Sequence, residues 1–307
     1  MNSPTKRLSL NPVQLEGWTI AARSRSRQGT LPTYIPQLAA ADPGALAVRV
    51  LGVDGRFYDG GDRDRVFPLM SVVKPFLLLR VLVELGSEGV FARLGMEPSD
   101  RPFNCLEQLQ IDGSRPRNPM INSGAIALAG LLTGEDGATR CRRFCDWLNA
   151  AAGCNLRLDG GLLASVRSVP NSRNQAIAAE LARAGYVEDA ALTLDTYNHI
   201  CCLSGTVADL AQLGLLLLEP PEPAWTEGCR QVKALMMTCG LYEASGSFAV
   251  RVGLPTKSGV SGAVLSVVPG WGAIACYSPP LDAAGNSVAG LFLIEEMARS
   301  LVLSLFD

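Results

Sequence analysis

The chain has 307 residues, 48% of them hydrophobic, with 27 basic against 29 acidic side chains and a net charge of −2. That apolar content excludes a disordered chain and suits a large core, in one domain of two subdomains or in two domains. The near-neutral balance, with no polybasic segment beside an amphipathic helix, gives no electrostatic footprint for nucleic acid; a small molecule or another copy of the chain is the natural partner.

No run of 18 uncharged apolar residues exists, so no membrane-spanning helix is expected. The start, "MNSPTKRLSLNPVQ", lacks the apolar stretch of a signal peptide, and a cytoplasmic location is the expectation. Nine cysteines, an odd number without a regular framework, fit a reducing compartment in which they pack as small hydrophobes. Cys141, Cys145 and Cys154 cluster in sequence, but with a single histidine, His199, and no paired C-x-x-C no metal site is expected.

In chain order, the first 15 residues are expected to be loosely held, and "NPVQLEGWTIAARSRS" reads as a first helix. "ALAVRVLGVDGRFYDGGD" alternates apolar residues around Asp54-Gly55, the signature of a hairpin. From Ser71 to about Leu217 apolar residues recur every three or four positions, as in "AIALAGLLTG", "RRFCDWLNAAAG", "NQAIAAELARAG" and "TVADLAQLGLLLLEP", which predicts helices. After "PPEPAW" the chain returns to predicted strands in "SFAVRVGLP", "GAVLSVVPG" and "GAIACYSP", and "SVAGLFLIEEMARSLVLSLF" closes it as a helix. Strands at both ends with helices between them imply an α+β fold. A sheet subdomain of about 16–70 and 240–307 would enclose a helical one of about 71–239, with a cleft where the two meet.

At that junction lies "FPLMSVVKPFLLLRVLVELG", residues 67–86, an apolar run interrupted by Lys74 three residues after Ser71. On a helix, positions three apart share a face, with Cβ atoms about 5–6 Å apart. Burial disfavours the ammonium form, so such a lysine can serve as a base and turn a serine into a nucleophile without a histidine. The alternative is a lysine whose stem covers apolar surface while its head reaches solvent. A second element supports the serine: "PTKSGVSGAV", residues 255–264, places Lys257-Ser258-Gly259 on or beside a strand. S-x-x-K followed by K-[ST]-G is the pairing of penicillin-recognising serine enzymes. Gly259 would let the strand approach a substrate, and a backbone N–H there can join that of Ser71 as an oxyanion hole.

"GTLPTYIPQLA", "EPSDRPFN", "RPRNPMINSGAI", "SRNQAIA", "TCGLYEASGSFAVRVGLPTKSGVSG" and "GNSVAG" together resemble the successive motifs of the serine-dependent glutaminases, over about residues 28–290. The resemblance implies a β-lactamase-like fold, an antiparallel sheet flanked by helices with an inserted helical subdomain. It also implies hydrolysis of L-glutamine to L-glutamate and ammonia with no metal or organic cofactor, and a homodimer or homotetramer. Carried over by motif, Ser71 is the expected nucleophile and Lys74 its base, while Tyr34 and Tyr242 border the nucleophile for proton transfer or oxyanion positioning. Asn122, Asn174 and Tyr197 are expected to hold the amino-acid end of the substrate, with Tyr242 and Lys257 also touching it and Val260 supplying its backbone N–H.

One position departs from that pattern. The resemblance places a glutamate that receives the substrate ammonium seven residues before Asn174, where this chain has Arg167, and no Asp or Glu lies between Asp159 and Glu180. Arg167 is therefore expected at the edge of the pocket, repelling an ammonium by about 4 kcal/mol at about 4 Å and an effective dielectric of about 20. Asn198, Ser261 and Ala263 are smaller departures. Three readings stay open: a glutaminase, a serine amidase of the same fold acting on another amide or an N-substituted glutamine, and a non-enzymatic relative that binds a ligand or partner.

Overall fold

The computed structural model describes residues 10–307. The expectation of a loosely held start lies, for residues 1–9, outside the described residues. From residue 10 onward it fails: Leu10 and Leu15 are buried, and Asn11 caps the Pro12–Arg25 helix by accepting from the Val13 N–H. Here the predicted first helix is found.

Strands β1 (Ala47–Gly52) and β2 (Phe57–Gly61) form the predicted hairpin, with Gly55 in the turn at φ +79°. Short strands β3 (Phe67–Pro68), β4 (Arg157–Leu158) and β5 (Leu203–Gly205) make a separate small sheet in the order β3-β5-β4. Strands β6 (Thr256–Ser258), β7 (Ala263–Val268) and β8 (Gly272–Tyr277) join the hairpin in a five-stranded antiparallel sheet, ordered β2-β1-β8-β7-β6. The ends of the chain meet in this sheet through β1 and β8, where Val50 lies opposite Ile274.

Alternation on these strands feeds two cores. Leu51, Leu265, Val267, Ala273 and Ala275 face the large helical body. Val48, Val50, Val264, Ile274 and Cys276 face the first helix and the final Val288–Leu301 helix, packing with Leu15, Leu293 and Met297. Helix Val207–Leu216 lies on the first of these faces, against β1, β7 and β8. A Cβ on its Gly214 would stand 2.4 Å from the Ala273 Cβ, so glycine sets how closely helix and sheet approach. That helix falls inside the segment expected to be the helical subdomain, yet it covers the sheet.

A second expectation is corrected at "SFAVRVGLP". Ser245–Arg251 is a helix, not a strand. Apolar residues at 248, 250 and 252 fit a period of two, but the burial follows a helix: Phe248 and Val252, four apart, are buried, whereas Val250 is 89% exposed.

Candidate active site

The nucleophile candidate sits where β3 gives way to helix. Met70–Val73 is a 3-10 turn that runs directly into the Lys74–Phe91 helix. In a 3-10 turn side chains three apart eclipse, which puts Ser71 and Lys74 on one side. Leu69 N–H donates to Leu203 O at 2.8 Å and fixes the turn to β5. Met70 takes a positive φ of 47°, an uncommon conformation for a side-chain-bearing residue. Both site residues are inside the protein, Ser71 5% exposed and Lys74 fully buried.

Burial without a carboxylate partner lowers the Lys74 pKa to about 8. Its Nζ donates to Met120 O at 3.2 Å and to Asn122 Oδ1 at 2.7 Å. A neutral lysine amine has two N–H bonds and one lone pair, so these two contacts account for its donors and leave the lone pair to accept a proton. The carbonyl and the amide are brought there by Asn118, whose Oδ1 accepts from the N–H groups of Met120 and Ile121. Of the two amides in "NPMIN", Asn118 shapes the loop and Asn122 reaches the site.

Asn122 joins the remaining groups. Its Oδ1 also accepts from the Tyr197 hydroxyl at 3.1 Å, and its Nδ2 donates to Asn174 Oδ1 at 2.9 Å. That leaves the Asn174 amide N–H groups for a ligand. Ser71, Asn122, Asn174, Tyr197, Tyr34 and Val260 all line one cavity of about 550 Å³, a size suited to small ligands. Tyr34 is half-exposed at its edge. Gly259, beside Val260, is needed by close approach: a Cβ there would lie 2.6 Å from Leu69 O and 3.3 Å from Ser71 N.

Tyr242, Lys257 and Arg167, also expected at the substrate, are not among the residues that line this cavity. Tyr242 is buried behind Ser71 and its ring packs on Phe103 at 4.7 Å. Burial pushes its phenol up to about 12, against hydrogen bonds with Ser71 and Ser258 that act the other way. Lys257 is fully buried; its Nζ donates to Gly240 O at 3.0 Å and to Ser258 O at 2.5 Å, and lies 4.5 Å from the Tyr242 ring centre. Burial first, and the neighbouring Lys74 second, hold its pKa far below the ordinary lysine value.

Arg167 ends the Gly160–Arg167 helix, and its guanidinium is 2.6 Å from Asp195 Oδ1 on the Ala190–Cys201 helix. The preceding residue, Val166, is the one that faces the cavity. Successive helical side chains point about 100° apart, so a match by register does not carry a match in direction.

The lining also holds groups the motifs did not single out, among them Asn104, Asn171, Arg173 and Cys201. Cys201 lies one helical turn after Tyr197, a spacing that marks a shared face; burial raises its thiol pKa while Lys74 opposes the shift.

The model of the Glutaminase family matches residues 29–306. The chain belongs to the glutaminase family. A glutaminase of Synechocystis sp. is 50% identical over 293 residues, spanning 95% of this chain and 90% of the relative. A glutaminase of Alkaliphilus oremlandii is 36% identical over 306 residues, spanning 96% and 99%. Among solved structures, the probable glutaminase from Bacillus subtilis complexed with 6-diazo-5-oxo-L-norleucine superposes with a TM-score of 0.87 at 30% identity, covering 100% of each chain. The covalent complex of the Bacillus subtilis glutaminase YbgJ with 5-oxo-L-norleucine superposes with a TM-score of 0.86 at 31% identity, covering 96% of this chain and 100% of that one. The glutaminase resemblance and the α+β, β-lactamase-like fold expected of this chain both hold.

Proposed function

We propose that this glutaminase-family protein is an amidohydrolase that converts L-glutamine and water to L-glutamate and ammonia through an acyl-enzyme on Ser71. The observation that carries the reading is the buried Ser71–Lys74 turn opening onto a cavity with Asn122, Asn174 and Tyr197 on its wall. Ser71 Oγ attacks the side-chain carbonyl while its proton passes to neutral Lys74, with the Tyr242 hydroxyl beside Ser71 as relay. Backbone N–H groups of Ser71 and Val260 receive the oxyanion. The C–N bond breaks, ammonia leaves with the proton, and water then cleaves the ester.

The Bacillus subtilis relative's covalent adduct with 5-oxo-L-norleucine supports a nucleophile at such a site. Ammonia release from L-glutamine, with Ser71→Ala and Lys74→Ala as controls, tests the proposal. Nucleophile and base act as a unit, so each substitution is expected to remove at least about a thousandfold of kcat. Retention of turnover by Ser71→Ala would sink the acyl-enzyme.

No helix among the described residues is long and apolar enough to cross a membrane. The same reading carries a cytoplasmic location, supported by nine unpaired cysteines, and a homodimeric or homotetrameric assembly that light scattering in solution checks.

A further inference from the structure

Residues 279–290, "PPLDAAGNSVAG", do not line the cavity, yet they back onto two residues of the site. Asp282 folds them into a tight turn: its Oδ1 accepts from the N–H groups of Ala284 and Asn286, both at 2.9 Å, and its own N–H donates to Asn286 O at 2.8 Å. Gly285 takes φ +91° in that turn, a conformation open to glycine. Two backbone hydrogen bonds between Leu281 and Thr30, each 2.9 Å, and Ser287 Oγ on Ser278 O at 2.7 Å tie the turn down on either side.

Asn286 is fully buried in this turn. The Leu241 carbonyl can only accept, so the Asn286 Nδ2 faces it, at 3.3 Å, and Oδ1 is left to accept from the Ser258 hydroxyl at 2.5 Å. One neutral carboxamide thus spans the peptide before Tyr242 and residue Ser258 of β6. The same two segments meet a second time, where the Tyr242 hydroxyl lies 3.5 Å from Ser258 O. A Cβ on Gly285 would stand 3.8 Å from Tyr242 Cε2 and 3.9 Å from Val260 Cγ1, so the turn also supports both of those side chains from behind. Tyr242 sits at a positive φ, which a side-chain-bearing residue keeps only under restraint.

We infer that Asn286 is a positioning residue for the reaction: by fixing the Leu241–Tyr242 peptide to Ser258 on β6 it holds the Tyr242 hydroxyl at Ser71. This rests on the amidohydrolase reading above, in which that hydroxyl relays the serine proton. Asn286 touches neither the cavity nor the reacting atoms, and it acts through Tyr242. Loss of its amide would leave the Leu241 carbonyl and the Ser258 hydroxyl without their buried partner and free the two segments to move apart.

The test compares steady-state ammonia release from L-glutamine by the full chain and by Ser258→Ala and Asn286→Leu, each made alone and together with Tyr242→Phe, with Ser71→Ala as the blank. A small displacement of a reacting group is costly, so each substitution alone is expected to lower kcat about tenfold or more while KM stays within about twofold. With Tyr242→Phe no hydroxyl remains to be placed, and the same substitutions are then expected to change kcat by less than about twofold. A merely structural role would lower kcat alike in both backgrounds, and that result overturns the inference. So does a change in KM alone, an unchanged kcat in Ser258→Ala, or full kcat in Tyr242→Phe itself. Ser258→Ala deletes a single oxygen and carries the comparison where Asn286→Leu does not fold. In each of these cases wild-type ammonia release that is lost in Ser71→Ala leaves the amidohydrolase reading standing; release that is absent, or that persists in Ser71→Ala, overturns both.

Discussion

Lys74 Nζ stands 2.7 Å from Asn122 Oδ1, and the same oxygen accepts from the Tyr197 hydroxyl. One neutral amide thus joins the candidate base to the substrate wall without adding charge. Asn122→Asp keeps the shape and places an anion against Lys74. An opposite charge at this range raises a lysine pKa by about 1–3 units. The expected outcome is a kcat/KM at pH 7 lowered about tenfold or more, partly recovered as pH is raised; a pH profile identical to wild type would show that Lys74 is not the titrating base.

The wild-type profile follows from the same lysine. Its pKa is lowered by burial to about 8, and only the neutral amine can take the serine proton. Well below pH 8 the neutral fraction falls tenfold per unit, and above it the fraction saturates. kcat/KM should therefore climb with unit slope through neutrality and level off above pH 8. A maximum well below pH 6 would point to a carboxylate base instead.

Gly259 is where the strand side of the site touches the nucleophile turn. Gly259→Ala would drive a Cβ to within 2.6 Å of Leu69 O and 3.3 Å of Ser71 N, both backbone atoms that cannot rotate away. Separation of β6 from the Met70–Val73 turn should displace the oxyanion donors and lower kcat by about a hundredfold or more, with a lower melting temperature as the accompanying sign. Unchanged kcat would place the oxyanion elsewhere.

What was legible in the sequence was whatever spacing alone determines. "GAVLSVVPG" and "GAIACYSP" are nearly continuous apolar runs of strand length between glycine and proline, the pattern of strands buried on both faces, and β7 and β8 occupy those stretches. Ser71 and Lys74 were visible because an offset of three gives a shared side in either a 3-10 or an α turn. "SFAVRVGLP" was not legible, since Phe248 and Val252 satisfy an offset of four as well as an alternation, and packing of Phe248 into the second core decides it. Arg167 shows a different limit: aligned register names a residue, while the direction of its side chain depends on Asp195 across a helix interface. Nor could Lys257 be read as buried, because a lysine on a strand ordinarily keeps its head in water.

Lys257 also decides between two roles for the K-S-G element. As a substrate contact it would face the cavity; instead its two donated hydrogen bonds go to Gly240 O and Ser258 O, with Tyr242 under its Nζ. Tyr242 holds φ at +57°, a conformation that costs on the order of 1–3 kcal/mol for a side-chain-bearing residue and persists only when its surroundings enforce it. Those surroundings are Ser245 Oγ, which accepts from Leu241 N–H and donates to Tyr242 O, Asn286 Nδ2 on Leu241 O, and Lys257 on Gly240 O. Lys257→Met keeps the bulk but removes the last of these and leaves the Tyr242 hydroxyl free to drift from Ser71. Misplacement by about 1 Å can cost about a hundredfold in rate, so kcat should fall by that order while KM stays within about twofold. A steady-state comparison separates the roles: a raised KM with preserved kcat would return Lys257 to the substrate, and a loss in kcat alone assigns it to holding Tyr242.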